Sequence, residues 1–329
     1  MILITGGTGT LGPSVAWTLY REGFDLRILA LDKPEEGILP DRIDIRIGDI
    51  TDKKVVKEAL IGVNSVIHMA ALLHINNPKP KQIKLYKMVN VEGTKIIVNE
   101  AIKQGIERFI LFSTINVYGD TEGQIVDENS LPKPKTPYAQ SKYEAEQIVL
   151  GAKLPDGRLI GTVLRLAAVY GSRIKGNYKT LFEAISKGIF IPLGQGLNRK
   201  TLVYEKDVAE AVLAALNNPF SIGKIYNVTD GNIYFLRDIL DAIYTALGKK
   251  MPRFSLPVEP LKIISKPIDR VTMALSKKSS RLKNLIEKYT EDVAVEGLKI
   301  KKDLGFRPNY DLINGWTEVV DVLKQRANK

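Results

Sequence analysis

The hydrophobic residues in the first half of the chain fall into short, mainly apolar runs separated by segments with helical spacing. A strand whose residues are all apolar is buried on both faces, and such strands form parallel sheets covered by helices on either side. The pattern therefore predicts an α/β fold with a doubly wound parallel sheet. The predicted strands are residues 2–5, 26–31, 43–47, 65–68, 109–112 and 162–166. The predicted helices are residues 11–21, 52–61, 84–104 and 138–150.

The alternation weakens after the sixth predicted strand. Only a helix over residues 208–216 and a strand over residues 225–228 continue it. We therefore predict a sheet domain, to which a later segment returns, and a smaller C-terminal substrate-binding lobe. The sheet domain is residues 1–169 with the returning segment 203–230, and the lobe is residues 170–202 and 231–329.

Composition narrows the chemistry that the chain can perform. Its 329 residues include no cysteine and only two histidines, His68 and His74. This excludes disulfides and thiolate or histidine-rich metal sites, and we predict no metal. No apolar run approaches the about 18 residues of a membrane span, and no signal peptide is evident, so we expect a cytoplasmic protein. The net charge of +11 favours anionic partners without choosing among them.

A glycine-rich loop, Thr5-Gly6-Gly7-Thr8-Gly9-Thr10-Leu11-Gly12, follows the first predicted strand directly. Between a strand and a helix, such a loop lets the backbone approach a pyrophosphate and offers it the N–H groups of the helix N-terminus. The competing mononucleotide loop requires a lysine where Pro13 stands. The sheet domain is therefore predicted to bind a dinucleotide. The predicted cofactor residues in the loop are Gly6, Gly9, Thr10, Leu11 and Gly12.

Two further strand ends carry residues that suit the same cofactor. Asp49, followed by Ile50, comes after the third strand, where its carboxylate can accept a hydrogen bond from the adenine amino group. The competing interpretation of Asp49 is an N-cap for the next helix. Ala70 and Ala71 follow the fourth strand and are small enough to let its edge approach the cofactor. His68, in the same strand, is interpreted as a structural histidine.

Tyr138 and Lys142 lie four residues apart at the start of a predicted helix, on one face of it. A tyrosine with a pKa of about 10 is a poor base at neutral pH, but a nearby ammonium and a positively charged nicotinamide ring favour the phenolate. Tyr138 would then exchange a proton with a substrate hydroxyl or carbonyl. Thr114, at the end of the fifth strand, is placed to bind the reacting oxygen.

These motifs together resemble the extended short-chain dehydrogenase/reductase family, specifically its NAD-dependent epimerase/dehydratase group, over nearly the whole chain. The resemblance implies a Rossmann fold in which Tyr138 is the acid/base and Lys142 lowers its pKa and binds the nicotinamide ribose. It implies that Thr114 holds the substrate oxygen, that Asn90 contacts the cofactor, and that the protein is a homodimer. The matching segments are residues 5–12, 48–49, 68–71, 90–94, 113–119, 138–142, 164–171, 207–209 and 226–228.

Three positions depart from the family pattern. NAD-specific members end the second strand with an acid, where this chain has Ala30, with Asp32 two residues later. Because no arginine is nearby, Asp32 favours NAD over NADP without deciding between them. The Asp-Glu pair of 4,6-dehydratases is replaced by Ile115 and Asn116, so we expect that the protein is not a dehydratase. Ala168 stands where 4-epimerases commonly carry asparagine, which weakens the epimerase interpretation without removing it.

Basic residues mark the predicted substrate side. Arg199 and Lys200 lie where nucleotide-sugar members grip the diphosphate; Lys200 matches the register, and the forked guanidinium of Arg199 suits a diphosphate best. The alternative is a solvated surface pair. The basic segment 262–288 is interpreted as a solvated helix beside the cleft in preference to a helix that contacts a membrane surface.

The first functional hypothesis is an NAD(P)-dependent epimerase or ketoreductase acting at C4 of a nucleotide sugar. A 3β-hydroxysteroid or dihydroflavonol-type dehydrogenase uses the same catalytic groups and is the second hypothesis. A cofactor-sensing regulator without activity is the third, and it is disfavoured because Tyr138 and Lys142 are both present. In every case the expected partner is a small molecule, with no nucleic acid.

Overall fold

A computed structural model describes residues 1–75, 78–121, 123–173, 176–257 and 289–327. Within these ranges the strands are β1 (Ile2–Thr5), β2 (Leu26–Ala30), β3 (Asp44–Ile47), β4 (Ser65–His68), β5 (Arg108–Thr114), β6 (Gly161–Leu166), β7 (Ala168–Tyr170), β8 (Arg199–Lys200), β9 (Leu202–Tyr204), β10 (Ile225–Val228) and β11 (Tyr234–Phe235). The α-helices are α1 (Gly12–Arg21), α2 (Lys53–Ala59), α3 (Pro80–Tyr86), α4 (Thr94–Lys103), α5 (Pro137–Leu150), α6 (Asn177–Ser186), α7 (Glu205–Asn217), α8 (Leu236–Ala246), α9 (Leu298–Leu304) and α10 (Leu312–Ala327).

The central sheet has seven parallel strands in the order β3-β2-β1-β4-β5-β6-β10. This confirms the doubly wound parallel sheet that the apolar runs predict. The strand order reverses direction beside β1, since β2 lies on one side of it and β4 on the other. The carboxyl ends of β1 and β4 therefore flank a crevice of the kind in which open α/β sheets bind ligands.

Apolar layers cover the two faces of the sheet. On one face α1 and α7 pack together, and their buried residues include Val15, Leu19, Val208 and Val212. The other face is covered by α2, α4 and α5. Because helices cover both faces, every residue of β1, β2 and β6 is buried, including Arg27 and Arg165, whereas β3 at the edge of the sheet is largely exposed.

A third apolar cluster lies outside the sheet, where α8 packs against α10. Tyr170, Tyr204 and Trp316 lie within it, and the rings of Tyr170 and Trp316 stack with centroids 4.9 Å apart. Two small strand pairs, β7 with β9 and β8 with β11, belong to this part of the chain. The division into a sheet domain and a substrate lobe remains a prediction.

The helix predicted over residues 84–104 is interrupted. A wider π-helical turn, Lys87–Gly93, joins α3 to α4. At its end the hydroxyl of Thr94 donates to the carbonyl of Asn90 (2.6 Å), and the Thr94 N–H donates to the carbonyl of Val91. The spacing of apolar residues that predicted one continuous helix does not show a turn that contains one extra residue. Such turns are frequent at functional sites, and this one carries the predicted cofactor residue Asn90.

One region of the sequence analysis falls outside the structure. The basic segment 262–288 and the helix interpreted within it lie outside the described residues. In the described part of the chain, no helix is both long enough and apolar enough to cross a membrane.

Candidate active site

The glycine loop leaves β1 at Thr5 and enters α1 at Gly12, and its backbone is too tightly folded at Gly6 and Gly12 to admit a side chain. A methyl group at Gly12 would overlap the carbonyl of Gly7, and one at Gly6 would fall 2.8 Å from the backbone of Ala70. Gly6 also has a φ of 71°, which favours glycine. Within the described residues, no side chain caps the N-terminus of α1. The positive end of the α1 dipole therefore faces the loop with no described side chain bound to it, which fits the pyrophosphate of NAD.

The predicted adenosine residues lie at the ends of β2 and β3. Asp32 is exposed, two residues beyond the end of β2. The carboxylate of Asp49 accepts a hydrogen bond from the N–H of Thr51 (2.8 Å). Asp52, and not Asp49, caps α2, since its side chain accepts from the N–H groups of residues 54 and 55. The side chain of Ile50 is buried against Gly93.

The loop after β4 is tied to α5 through Asn90. The Asn90 side chain accepts from the N–H of Leu72 (2.8 Å), donates to the carbonyl of Leu72 (3.1 Å) and donates to the hydroxyl of Ser141 (2.9 Å). Ala70 lies in the same loop, and its N–H donates to the hydroxyl of Thr5 (3.3 Å). Ala71 is half-buried next to it. The cofactor contacts predicted for these residues remain predictions.

His68 is buried at the end of β4 between two hydroxyl groups. Its ring nitrogens contact the hydroxyl of Thr5 at 2.6 Å and the hydroxyl of Thr94 at 3.0 Å. Burial, together with the positive charge of Lys142, lowers the pKa of His68 to about 3. The imidazole is therefore neutral at physiological pH and links β1, β4 and α4, in agreement with a structural role.

Tyr138 and Lys142 lie on the first turns of α5, which Thr136 caps by accepting from the N–H of Ala139 (3.1 Å). The phenol ring lies 5.9 Å from the rings of His74 and Tyr86. Burial raises the pKa of Tyr138 above its usual value, and Tyr86 adds to this. The family resemblance implies that Lys142 lowers the pKa of Tyr138. In the chain by itself the pKa is raised instead, because burial desolvates the phenolate.

Lys142 is buried one turn after Tyr138. Burial lowers the pKa of its ammonium to about 8, and the negative charge of Glu146 opposes that shift. At neutral pH the lysine is therefore mostly charged. The carboxylate that supports this charge lies one further turn along the same helix face.

Glu146 belongs to a buried ion pair that the sequence analysis did not anticipate. Arg165 of β6 donates to it through Nη2 (2.7 Å) and Nε (3.0 Å), and both side chains are inaccessible to solvent. Ser113 also donates to Glu146 (2.5 Å). The guanidinium of Arg165 lies over the ring of Tyr118, 4.8 Å from its centroid. The available signal was a glutamate four residues after Lys142, on the helix face that carries the predicted catalytic pair, Tyr138 and Lys142.

A cavity of about 900 Å³ opens in front of Tyr138. Thr114, Ala168 and Lys200 line it together with the phenol, so the structure brings these four predicted residues to one place, whereas Lys142 and Arg199 are not among the described lining residues. Most of the remaining wall is apolar. Its aliphatic and aromatic side chains include Leu73, Leu181, Ile189, Phe190, Ile191 and Leu256.

The structure separates the predicted basic pair. Lys200 lines the cavity, whereas the guanidinium of Arg199 pairs with Asp292, with 2.6 Å between Nη2 and Oδ2. The Arg199 backbone N–H also donates to Asp292 (2.5 Å). The two residues are neighbours on β8, and successive side chains of a strand point to opposite sides. The Arg199 guanidinium, which was predicted to suit a diphosphate best, is therefore paired with the Asp292 carboxylate.

Comparison with known proteins places the fold and site in a family. The profile of the NAD dependent epimerase/dehydratase family matches residues 2–229, and the chain belongs to this family. This confirms the resemblance seen in the motifs and makes NAD the cofactor.

Three curated relatives and one solved structure illustrate its range. The chain is 27% identical to the N-acetyl-alpha-D-glucosaminyl-diphospho-ditrans,octacis-undecaprenol 4-epimerase of Escherichia coli O157:H7, covering 95% of this chain and 92% of the relative. It is 27% identical to the UDP-glucose 4-epimerase of Vibrio cholerae, covering 100% and 97%. It is 31% identical to the dTDP-D-glucose 4,6-dehydratase of Mus musculus, covering 69% and 67%. The UDP-glucose 4-epimerase of Thermus thermophilus, solved with NAD, superposes with a TM-score of 0.76 at 25% identity over 98% of both chains.

The expectation that the protein is not a dehydratase is wrong as an exclusion, because dehydratases are among the proteins to which the chain is similar. It rested on the two residues that follow Thr114, Ile115 and Asn116. A carboxylate can reach the cavity from a remote part of the chain, and Glu291, far along the sequence, lines it. The absence of acids at two sequence positions therefore does not decide the reaction.

Proposed function

We propose that the protein is an NAD-dependent enzyme that exchanges a hydride and a proton at C4 of a diphosphate-linked sugar, as an epimerase or ketoreductase. The observation that carries this proposal is the shared cavity, since Thr114, Tyr138 and Lys200 all line it. A hydroxyl, a phenol and a cation in one cleft at the carboxyl ends of the strands suit the oxygen, the proton and the diphosphate of such a substrate. A nucleotide sugar is the member of this class that the sequence predicts.

The residues present fit NAD. The glycine loop and the N-terminus of α1 would hold the pyrophosphate, Asp32 the adenosine ribose, Asp49 the adenine and Lys142 the nicotinamide ribose. When bound, NAD accepts the hydride from the substrate carbon and returns it.

The chain supplies the proton and fixes the oxygen. Because burial raises its pKa, the Tyr138 phenol is protonated in the chain alone and is ready to donate to a keto oxygen at C4. In the reverse direction the phenolate takes the proton of the hydroxyl, and the neighbouring Lys142 ammonium stabilises that negative charge. Thr114, whose hydroxyl already accepts from the N–H of Asn116 (3.2 Å), would donate its own hydrogen to the same substrate oxygen.

A hydroxysteroid dehydrogenase is the second candidate, and the apolar lining of the cavity favours it. Lys200 favours the first candidate, because an uncharged steroid offers no anion to a cation on the cavity wall. A cytoplasmic location and a homodimer remain predictions of the sequence.

The test is Tyr138→Phe, assayed on UDP-glucose and UDP-N-acetylglucosamine with NAD⁺ and on their 4-keto derivatives with NADH. We expect turnover to fall about 10²–10⁴-fold, the contribution of a positioned acid/base, while NAD affinity is unchanged. Tyr20→Phe is the matched control, since it removes a hydroxyl from an exposed tyrosine of α1 that is not among the described residues lining the cavity. Retention of full turnover in Tyr138→Phe would remove Tyr138 from the chemistry and overturn the proposal.

A further inference from the structure

The apolar wall of the cavity continues outward to the solvent. Four of its lining side chains are aliphatic and exposed: Leu73 (58%), Ile189 (72%), Ile191 (43%) and Leu256 (40%). We call these four residues the apolar rim. Single exposed apolar residues are common on protein surfaces, but four around one opening form a patch of the kind that marks a binding surface.

Backbone hydrogen bonds hold the rim in place. The N–H of Leu256 donates to the carbonyl of Pro192 (2.9 Å), and the N–H of Gly194 donates to the carbonyl of Leu256 (2.8 Å). The segment after α6 that carries Ile189 and Ile191 is therefore joined to the segment that carries Leu256. Leu73 is fixed separately, because its carbonyl accepts from the Tyr86 hydroxyl (3.0 Å). The exposed aliphatic groups belong to an ordered part of the cleft.

The charges on the cavity wall are few. Lys200 and Glu291 are the charged Lys, Arg, Asp or Glu side chains among the described lining residues. Arg199, the other cation predicted to grip the substrate, is held by Asp292. A nucleoside adds a polar base and a ribose to the diphosphate, and these groups would need partners among the uncharged polar residues of the wall, such as Asn116, Asn177 and Thr180, when they leave water. An alkyl chain needs only apolar contact, which the wall supplies from Ile189 inward to Ile115.

We propose that the sugar diphosphate is carried on a polyprenyl-type lipid, whose first isoprene units lie against the apolar rim in place of a nucleoside. The inference rests on the proposed function, since it names the carrier of the same substrate. The sugar would reach Tyr138, the diphosphate would lie near Lys200, and the chain would leave across Ile189, Ile191 and Leu256.

The experiment compares two substrates that differ only in the carrier: N-acetylglucosamine diphosphate linked to farnesol, and UDP-N-acetylglucosamine. We expect the wild type to prefer the farnesyl conjugate in kcat/KM. Ile189→Ser should raise KM for the farnesyl conjugate roughly tenfold more than for the uridine conjugate, because a buried aliphatic contact is lost. Ile61→Ser is the matched control, since Ile61 is 61% exposed and follows α2 at the amino ends of the strands, away from the cavity.

Binding of the farnesyl conjugate, followed by intrinsic fluorescence, gives a readout that does not need turnover. Weaker binding to Ile189→Ser than to Ile61→Ser supports the inference. Equal binding to both variants, or a wild type that prefers the uridine conjugate, overturns it and leaves the proposed function standing if Tyr138→Phe is inactive on that substrate. Oxidation of a 3β-hydroxysteroid with no binding of the farnesyl conjugate would overturn the inference and the proposed function together.

Discussion

The floor and the rim of the cavity are built from opposite kinds of residue. The floor, which we define as Tyr138, which lines the cavity, together with the residues behind it, Lys142, Glu146 and Arg165, consists of polar groups that are almost completely buried. The apolar rim consists of aliphatic side chains that are largely exposed. Each is costly in its own way, since buried charges lose their hydration and exposed aliphatic groups order water. Polar residues are usually exposed and aliphatic residues usually buried, and both regions depart from this distribution. Their occurrence side by side indicates a binding site.

The two regions also differ in how they are held. The floor is cross-linked by side chains: Ser113 and Arg165 donate to Glu146, and Asn90 donates to Ser141 on the same helix. The rim is held by backbone hydrogen bonds, which leave its side chains free to change in sequence. The comparison suggests that the floor fixes the reaction while the rim selects the molecule that undergoes it. The following predictions test each side.

The largest effect is expected in the floor. Glu146→Gln should lower the free energy of unfolding by about 3–5 kcal/mol, because Arg165 would keep its charge in a buried site without its partner. Urea denaturation at neutral pH measures this. The double variant Glu146→Gln, Arg165→Met should lose less than the single one, and Glu107→Gln, which removes an exposed partner of Arg158, should change stability by less than about 1 kcal/mol. A single variant as stable as Glu107→Gln would show that the floor does not depend on this pair.

The next effect depends on pH and concerns His68. Its pKa is lowered from 6.5 to about 3 in the folded chain, so below pH 6.5 the unfolded state binds a proton that the folded state does not. Stability should therefore fall as the pH drops from 6.5 towards 3, by about 2 kcal/mol between pH 6.5 and pH 5. His68→Gln should lose less stability over that interval than the wild type. Urea denaturation at pH 6.5 and pH 5 measures both losses of stability. Equal losses in the wild type and in His68→Gln would contradict the lowered pKa of His68.

The smallest effect separates the two basic residues of β8. Lys200→Ala should raise KM for the diphosphate-linked substrate by roughly tenfold, the loss expected for a contact to a charged group. Arg199→Ala should leave KM nearly unchanged and lower stability by about 1 kcal/mol or less, because its partly exposed side chain already pairs with Asp292. Steady-state kinetics of both variants decide the matter. A larger rise in KM for Arg199→Ala than for Lys200→Ala would show that the Arg199 guanidinium binds the diphosphate.

The sequence alone determined the parts of this protein that depend on local order. Short, mainly apolar runs alternating with helical patterns predicted the parallel sheet, because strands buried on both faces carry little polar alternation. The glycine loop was recognisable because the positive φ of Gly6 and the contact of Gly12 with the Gly7 backbone arise within a few residues of chain. Tyr138 and Lys142 were recognisable because four residues make about one turn of a helix.

Only the tertiary structure decided the contacts between distant segments. Asp292 lies 93 residues from the Arg199 that it holds, and Glu146 meets Arg165 only because α5 packs against β6. Glu291 enters the cavity from the far end of the sequence, which is why two residues next to Thr114 were a poor guide to the reaction. A local sequence pattern reflects interactions within one segment. The ion-pair partner of a charged residue and the residues that line a cavity depend on how the whole chain packs.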